Sequence, residues 1–224
     1  MSPAAAFRRR HPLLTLALPM QSGSPLERVA QGNDAAWNEA ETALQAGHED
    51  IAALMHAARS LGGELAQQQL QHLWPRAGAH DLALAKGLGV ALWLAEMLLF
   101  LREDAAEGRI LPPRDAMQRF MVEASQLIEG KHDFALRRMA GHLAEQAIKI
   151  LQGSAPLGLS APLLLRYRLR WSMLYTGFLL EAMRRDPDAP FIRPRLPPRE
   201  FLRLLGRTLH VPGRKTAKGG GCNC

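Results

Sequence analysis

The sequence predicts an all-α fold. Aromatic residues make up only 6% of the chain, alanine and leucine are abundant, and runs of β-branched residues are few. Apolar residues also recur at three- and four-residue spacing between glycine and proline stops. A chain of 224 residues with 47% hydrophobic content is long enough to bury one core. We therefore expect a single-domain helical bundle over residues 31–212.

The two ends of the chain are predicted to lie outside this bundle. Residues 1–30 combine three consecutive arginines with a short apolar run that contains two prolines, so we expect a flexible basic and apolar tail rather than a secretion signal. Residues 213–224 are rich in glycine and lysine, end in Cys222, Asn223 and Cys224, and predict a second flexible tail. With cysteine confined to that end, the core has no disulfide, as expected of a cytoplasmic protein.

Three short helices are predicted in the first third of the bundle. Asp34 predicts the cap of a helix over 34–46. The next helix, over 49–61, is predicted to end at Gly62 and Gly63, and a third covers 64–73.

The segment 81–107 predicts the central helix of the bundle. It is apolar nearly all round between Gly87 and Leu101, which indicates packing on several sides. Glu96 interrupts the apolar run, so the uncharged stretch is too short to cross a membrane and a buried core helix is expected. Gly87 and Gly89 predict the close approach of another helix.

Four more helices are predicted after the paired prolines 112 and 113, over residues 114–129, 133–152, 160–184 and 198–209. The third of these mixes arginines with Tyr167, Trp171 and Tyr175. The net charge of +7 would suit a nucleic-acid partner. However, the aromatic residues recur every fourth position, which predicts a buried stripe, so we expect no nucleic-acid partner.

An acidic cluster, formed by Glu103, Asp104 and Glu107, follows the central apolar segment. The chain is predicted to turn at Gly108 and to present Arg109 beside it. Carboxylates are the ligands that Mg2+ prefers, and a planar guanidinium can hold a diphosphate through paired hydrogen bonds. The alternative is an ordinary solvated helix end.

This stretch resembles the second aspartate-rich region of the squalene/phytoene synthase family, which reads approximately N-x-x-R-D-x-x-E-D-A-x-x-G-R-x-Y-L-P. The matching residues are Glu103, Asp104, Ala105, Gly108, Arg109 and Pro113. The helix around Tyr167 and Tyr175, with residues 188–191, is loosely similar to that family's last core helix and the loop after it. The resemblance implies an isoprenoid-synthase type of bundle, Mg2+ held by Glu103 and Asp104, and the substrate diphosphate held by Arg109.

The departures from the family pattern imply a shortened, degenerate member. Phe100 stands where the family has its leading metal-binding aspartate, and Glu96 stands where it has asparagine. The sequence upstream is short for a first aspartate-rich motif. Asp34 is the only candidate for that motif's first carboxylate, and the residue one turn later is the neutral Asn38. These departures imply that catalysis is impaired.

The resemblance implies a squalene/phytoene synthase-like protein of isoprenoid metabolism that binds prenyl diphosphates or another isoprenoid lipid. If active, it would be a prenyltransferase that condenses farnesyl or geranylgeranyl diphosphate. The alternative is a non-catalytic assembly or lipid-binding factor, with a protein partner. Arginines beside apolar residues at both ends predict an anionic membrane surface as a partner and a peripheral location, although a basic soluble bundle would share this composition.

Overall fold

The computed structural model describes residues 2–44, 47–129, 133–185 and 196–210. Its helices are α1 (Pro3–Arg10), α2 (Pro12–Ala17), α3 (Pro25–Ala30), α4 (Ala35–Ala43), α5 (Ile51–Ala58), α6 (Glu64–Leu73), α7 (Ala79–Leu99), α8 (Leu101–Ala106), α9 (Arg114–Phe120), α10 (Ala124–Glu129), α11 (Phe134–Gly153), α12 (Leu157–Ser160), α13 (Leu163–Arg185) and α14 (Pro198–Leu209). No strand occurs within the described ranges, and the predicted all-α class is confirmed. The tail over 213–224 and the loop over 188–191 lie outside the described residues.

Helix α7 is the centre of the bundle, as predicted. It packs against α2, α5, α6, α11 and α13. By length and composition it is apolar enough to cross a membrane, but 67% of its most apolar window is buried inside the fold. The many-sided apolar surface of this helix is therefore covered by its neighbours.

The prediction that Gly62 and Gly63 end a helix is wrong. Helix α5 runs through a π-helical turn (Arg59–Gly63) directly into α6. A Cβ atom on Gly62 would overlap the main chain of Gly89 on α7, and a Cβ on Gly89 would overlap Gly62. The glycines thus allow two helices to touch through their backbones, which confirms the close approach predicted at Gly89.

The structure also differs from the flexible tail predicted for residues 1–30. These residues form α1, α2 and α3, with Phe7, Leu14, Leu18 and Leu26 buried in the core. The apolar run that follows the arginines has a partner surface, because α2 packs on α7 and α13. Burial of these side chains supplies the free energy that orders the segment.

Two predicted helices are each divided in the structure. Phe100, with φ −108° and ψ 15°, separates α7 from the short helix α8. Met121, in the left-handed region at φ 57°, ends α9 before α10 begins. As a result, the acidic cluster lies on a helix of its own, turned away from the line of α7.

Candidate functional site

Asp104 is the most deeply buried member of the acidic cluster. Its side chain is 1% exposed, and its Oδ1 accepts hydrogen bonds from Arg10 Nη2 at 2.5 Å and from Arg109 Nη2 at 2.8 Å. The main-chain N–H of Arg109 also donates to the Asp104 carbonyl at 2.8 Å. One carboxylate therefore joins the end of α1 to the turn after α8.

The guanidinium of Arg109 is bound by carboxylates of this chain. Besides Asp104, it contacts Glu107 at 2.5 Å. Burial acts to lower the pKa of Arg109, but the hydrogen bond and charge of Asp104, followed by the charges of Glu107 and Glu41, outweigh it and raise the pKa above its ordinary value. The guanidinium predicted to hold a diphosphate is already engaged with carboxylates of this chain.

Glu96 anchors the start of α2 to the middle of the bundle. It is 3% exposed, and its Oε1 accepts hydrogen bonds from the N–H groups of Leu13 at 2.7 Å and Leu14 at 2.9 Å. Its Oε2 lies 2.9 Å from Nδ1 of His11. Both oxygens of this buried carboxylate therefore have partners from the N-terminal segment.

The N-terminal segment packs beside the acidic cluster and leaves there one cavity of about 250 Å3, lined by Arg10, Asn38, Glu41 and Arg109, and a smaller one next to His11. The guanidinium of Arg10 lies 5.1 Å from the ring centre of Phe100, and the His11 ring packs between Phe7 and Trp37 at 4.6 and 5.7 Å. The cavity that remains next to His11, Trp37 and Glu96 is only about 30 Å3. That volume holds about one or two water molecules and no prenyl chain.

The predicted ligands Glu103 and Asp104 do not assemble into a Mg2+ site. They are consecutive on α8, so their side chains leave the helix about 100° apart. Glu103 is exposed, whereas Asp104 is buried and accepts hydrogen bonds from two guanidinium groups. Among the described residues, no three His, Cys, Asp or Glu side chains are grouped to hold a metal ion. The residues present therefore do not fit the magnesium that the family resemblance implies.

Asp34, the candidate for a first metal motif, caps a helix. Its Oδ1 accepts a hydrogen bond from the N–H of Trp37 at 3.0 Å, at the start of α4. Asn38 donates to the carbonyl of Gly32 at 3.0 Å. The alternative interpretation as a helix start is the one that the structure supports.

A larger cavity, the α4 cavity, lies between α4, α5 and α6. Its volume is about 720 Å3, and its apolar lining includes Trp37, Ala40, Leu44, Ala57 and Leu65. Small-molecule sites commonly enclose roughly 300–1,000 Å3, so a prenyl chain fits this volume. Its polar rim contains Asp34, Glu39 and Glu64, which disfavour a diphosphate.

The arginines of α13 have structural partners. Arg168 donates to the Leu16 carbonyl at 3.1 Å, and Arg170 donates to the carbonyls of Thr208 at 3.0 Å and His210 at 2.8 Å. These bonds hold α2 and the end of α14 against α13. Trp171 lies 6.4 Å from Tyr175, with the two rings parallel.

The chain is similar to one protein family and to two proteins of known structure. The family model described as squalene/phytoene synthase matches residues 41–201. The squalene synthase HpnC from Alicyclobacillus acidocaldarius superposes with a TM-score of 0.61 at 20% identity, covering 84% of this chain and 75% of that one. A dehydrosqualene synthase solved in complex with a ligand gives a TM-score of 0.63 at 20% identity, covering 91% and 77%. No curated protein matched the sequence. The similarity to both structures confirms the predicted type of helical bundle.

Proposed function

Because the chain belongs to the squalene/phytoene synthase family, we propose that it acts in isoprenoid metabolism by binding an isoprenoid lipid, prenyl diphosphates included, without condensing two of them. The observation that carries this proposal is the closure of the acidic cluster by Arg10 and Arg109. The wider family context supports the isoprenoid ligand, and the geometry at α8 supports the impaired catalysis.

Loss of condensation follows from the charges at the acidic cluster. Magnesium assists the departure of a diphosphate by neutralising its charge, and it needs several oxygen ligands that converge on one point. Here Asp104 is paired with two guanidinium groups, and Phe100 replaces the family's leading aspartate. A divalent cation approaching Asp104 would meet two positive charges.

Loss of condensation also follows from the space available. Head-to-head condensation requires two prenyl chains side by side. The cavity beside Glu96 and Trp37 is about 30 Å3, and the one beside Arg10 and Arg109 is about 250 Å3, below the roughly 300 Å3 at which small-molecule sites begin and too small for two prenyl chains. The α4 cavity, at about 720 Å3, is the better place for a single isoprenoid chain.

The proposal is tested by calorimetric titration of the full chain with farnesyl and geranylgeranyl diphosphate, with Mg2+ and with EDTA. We expect the same affinity in both buffers and no condensed hydrocarbon in the reaction mixture. Binding that depends on Mg2+, together with turnover that Asp104→Ala abolishes, would overturn it.

A second variant tests whether one missing ligand explains the lack of turnover. We expect Phe100→Asp to remain inactive, because the new carboxylate would lie beside Arg10 and the cavity would stay closed. A condensed product from this variant would contradict the proposal.

The second candidate function is that of an assembly or lipid-binding factor with a protein partner. The acidic rim of the α4 cavity favours an uncharged isoprenoid over a diphosphate, and this observation supports a carrier role. Titration with farnesol discriminates the two functions. Binding of farnesol but not of farnesyl diphosphate would indicate a lipid-binding factor, and binding of neither would direct the search to protein partners.

We also propose a cytoplasmic protein that attaches peripherally to an anionic membrane surface. Helix α14 exposes Leu202, Leu205 and Leu209 on one face, with Leu202 66% exposed, and it carries the exposed Arg199 next to that face. Basic helices with an exposed apolar face bind anionic lipid interfaces. Co-flotation with phosphatidylglycerol vesicles, but not with phosphatidylcholine vesicles, is expected for the wild-type chain and should be lost in Leu205→Glu.

A further inference from the structure

A basic cavity lies between α9, α11 and α13 and shares no lining residue with the acidic cluster. It encloses about 630 Å3 and is lined by five arginines of α9, α11 and α13, namely Arg119, Arg137, Arg138, Arg184 and Arg185. Phe120 and Phe134 complete its walls. Five guanidinium groups around one concave space repel each other in the absence of an anion.

Three of the five arginines, on α9 and α11, are held in place by rings rather than by carboxylates. Arg138 lies over the rings of both Phe120 and Phe134, at 5.8 and 5.7 Å, and Arg119 and Arg137 each lie over one ring at 5.5 and 5.7 Å. Cation–π contacts orient a guanidinium without neutralising it. Within the described ranges of the chain, Arg119, Arg137 and Arg138 make no ion pair.

The carboxylates nearest to the cavity offset only part of this charge. Glu145 is its one lining carboxylate among the described residues, and it is bound to Lys149 at 3.0 Å. Glu181 is shared between Arg184 and Arg185. The cavity therefore keeps an excess of positive charge.

Arg137 provides a second indication that the cavity accepts an anion. Its Nε is buried and has no hydrogen-bond partner among the described residues. A buried N–H group without an acceptor costs about 1–3 kcal/mol, so a small rotation of this guanidinium that turns its N–H groups toward an oxygen in the cavity is favoured. Phosphate oxygens are the acceptors that guanidinium groups bind best, through paired hydrogen bonds.

An apolar groove adjoins the basic cavity. It encloses about 570 Å3 between α11, α13 and α14, and its floor is formed by Leu151, Met173, Gly177, Phe178 and Leu204. The groove and the cavity share Arg185 as a lining residue.

The α11 residues that line the two spaces follow one stripe of that helix. Gly141 and Glu145 line the basic cavity, and Ile148 and Gln152 line the apolar groove. Because these positions are three or four residues apart, they lie on the same helix face. The cavity and the groove are thus two parts of one continuous seam between α11 and α13.

We propose that this seam binds an anionic amphiphile, with a phosphate or diphosphate head in the basic cavity and an apolar chain in the groove, without a metal ion. A basic end and an apolar floor in one line match the two halves of such a molecule. The site is separate from the acidic cluster and from the α4 cavity. Because both proposals expect farnesyl diphosphate to bind without Mg2+, the arginine variants of the seam distinguish them. A prenyl phosphate and a single-chain phospholipid share this chemistry.

The test is a set of titrations in EDTA, below the micelle concentration, with farnesyl diphosphate, lysophosphatidic acid and inorganic diphosphate. Binding of either amphiphile is expected, and the tighter of the two identifies the source of the ligand. Arg137→Ala with Arg138→Ala should weaken amphiphile binding about tenfold or more, since two charge-assisted contacts are lost. Arg8→Ala with Arg9→Ala removes the same net charge from exposed positions of α1 and should have less than about a twofold effect.

A pair of groove variants tests whether the apolar chain of the ligand binds in the groove. A Cβ atom on Gly177 would lie 3.8 Å from Leu151, an ordinary contact, so Gly177→Ala should bind as the wild type does. Gly177→Leu should fill the groove and weaken both amphiphiles while leaving inorganic diphosphate unchanged. Equal losses in the two double-arginine variants, or amphiphile binding that Asp104→Ala abolishes and Arg137→Ala with Arg138→Ala leaves intact, would overturn the proposal. Binding of neither amphiphile would also overturn it.

Discussion

The acidic cluster and the basic cavity both concentrate charge, but the chain treats the charges in opposite ways. At the acidic cluster, Asp104 is buried and two guanidinium groups meet it from different parts of the chain. At the basic cavity, Arg137 and Arg138 surround open space and rest on phenylalanine rings. In the first region both guanidinium groups bind Oδ1 of Asp104, while its buried Oδ2 has no hydrogen-bond partner among the described residues. The second region has an excess of positive charge.

The difference shows why a matching motif and a working site are separate things. Glu103, Asp104 and Arg109 keep the residue types and the spacing of a metal site. Arg10, which arrives from a helix 94 positions earlier, turns the central carboxylate of that motif into an internal anchor. A buried ion pair with its partners in place stabilises one arrangement of the chain and leaves little for a ligand.

The largest stability effect is expected at Glu96, which anchors the N-terminal segment beside the acidic cluster. Glu96→Ala would leave the N–H groups of Leu13 and Leu14 buried without acceptors and His11 without its carboxylate. We expect a loss of about 4 kcal/mol in the free energy of unfolding, measured with urea, because each unsatisfied buried group costs about 1–3 kcal/mol. Cleavage by protease within residues 2–20 should become faster.

Glu96→Gln is the matched control for that variant. Its remaining carbonyl oxygen can still accept from Leu13 and Leu14, so the loss should be about 1 kcal/mol. If both variants were equally stable, the N-terminal segment would be held by apolar packing alone, and the contrast between a closed and an open region would lose its main support.

The next largest effect is expected at Asp104. Asp104→Asn keeps the shape of the side chain but leaves Arg10 without a carboxylate partner and Arg109 with Glu107 alone. We expect a loss of about 3 kcal/mol, since breaking a buried pair on one side leaves the other charge uncompensated. Glu107→Gln, whose side chain is 61% exposed, should cost less than about 1 kcal/mol in the same urea experiment. If Asp104→Asn lowered the free energy of unfolding by less than about 1 kcal/mol, the acidic cluster would not be an internal anchor.

The fold was largely predictable from local pattern. Periodicity and composition predicted the helical class, the central helix α7, and the cap at Asp34. The connections between helices were harder to predict, because a glycine pair can either end a helix or allow two helices to touch. Only the position of Gly89 on the facing helix decides between these roles for Gly62.

The residues of the candidate site were predictable from their motif, but their spatial arrangement was not. The sequence identifies Glu103, Asp104 and Arg109, but it holds no local signal that Arg10 pairs with Asp104 or that His11 approaches Glu96. Those contacts depend on long-range packing of α1 and α2 against α7. The sequence did not predict the basic cavity for the same reason, because its arginines come from three separate helices.

The smallest expected effect concerns His48, a buried titratable group that lines the α4 cavity. It is 6% exposed, its Nε2 has no hydrogen-bond partner among the described residues, and burial lowers its pKa below the ordinary value. Because the unfolded chain takes up this proton near pH 6.5 and the folded chain does so only at lower pH, the stability is complete above that pH and falls as the pH drops below it. We expect a loss of about 1 kcal/mol from this group between pH 7.5 and 5.5, measured by urea unfolding at both pH values. His48→Gln should remove that part of the pH dependence, whereas parallel pH curves for the two proteins would show that His48 titrates as freely in the folded chain as in the unfolded one.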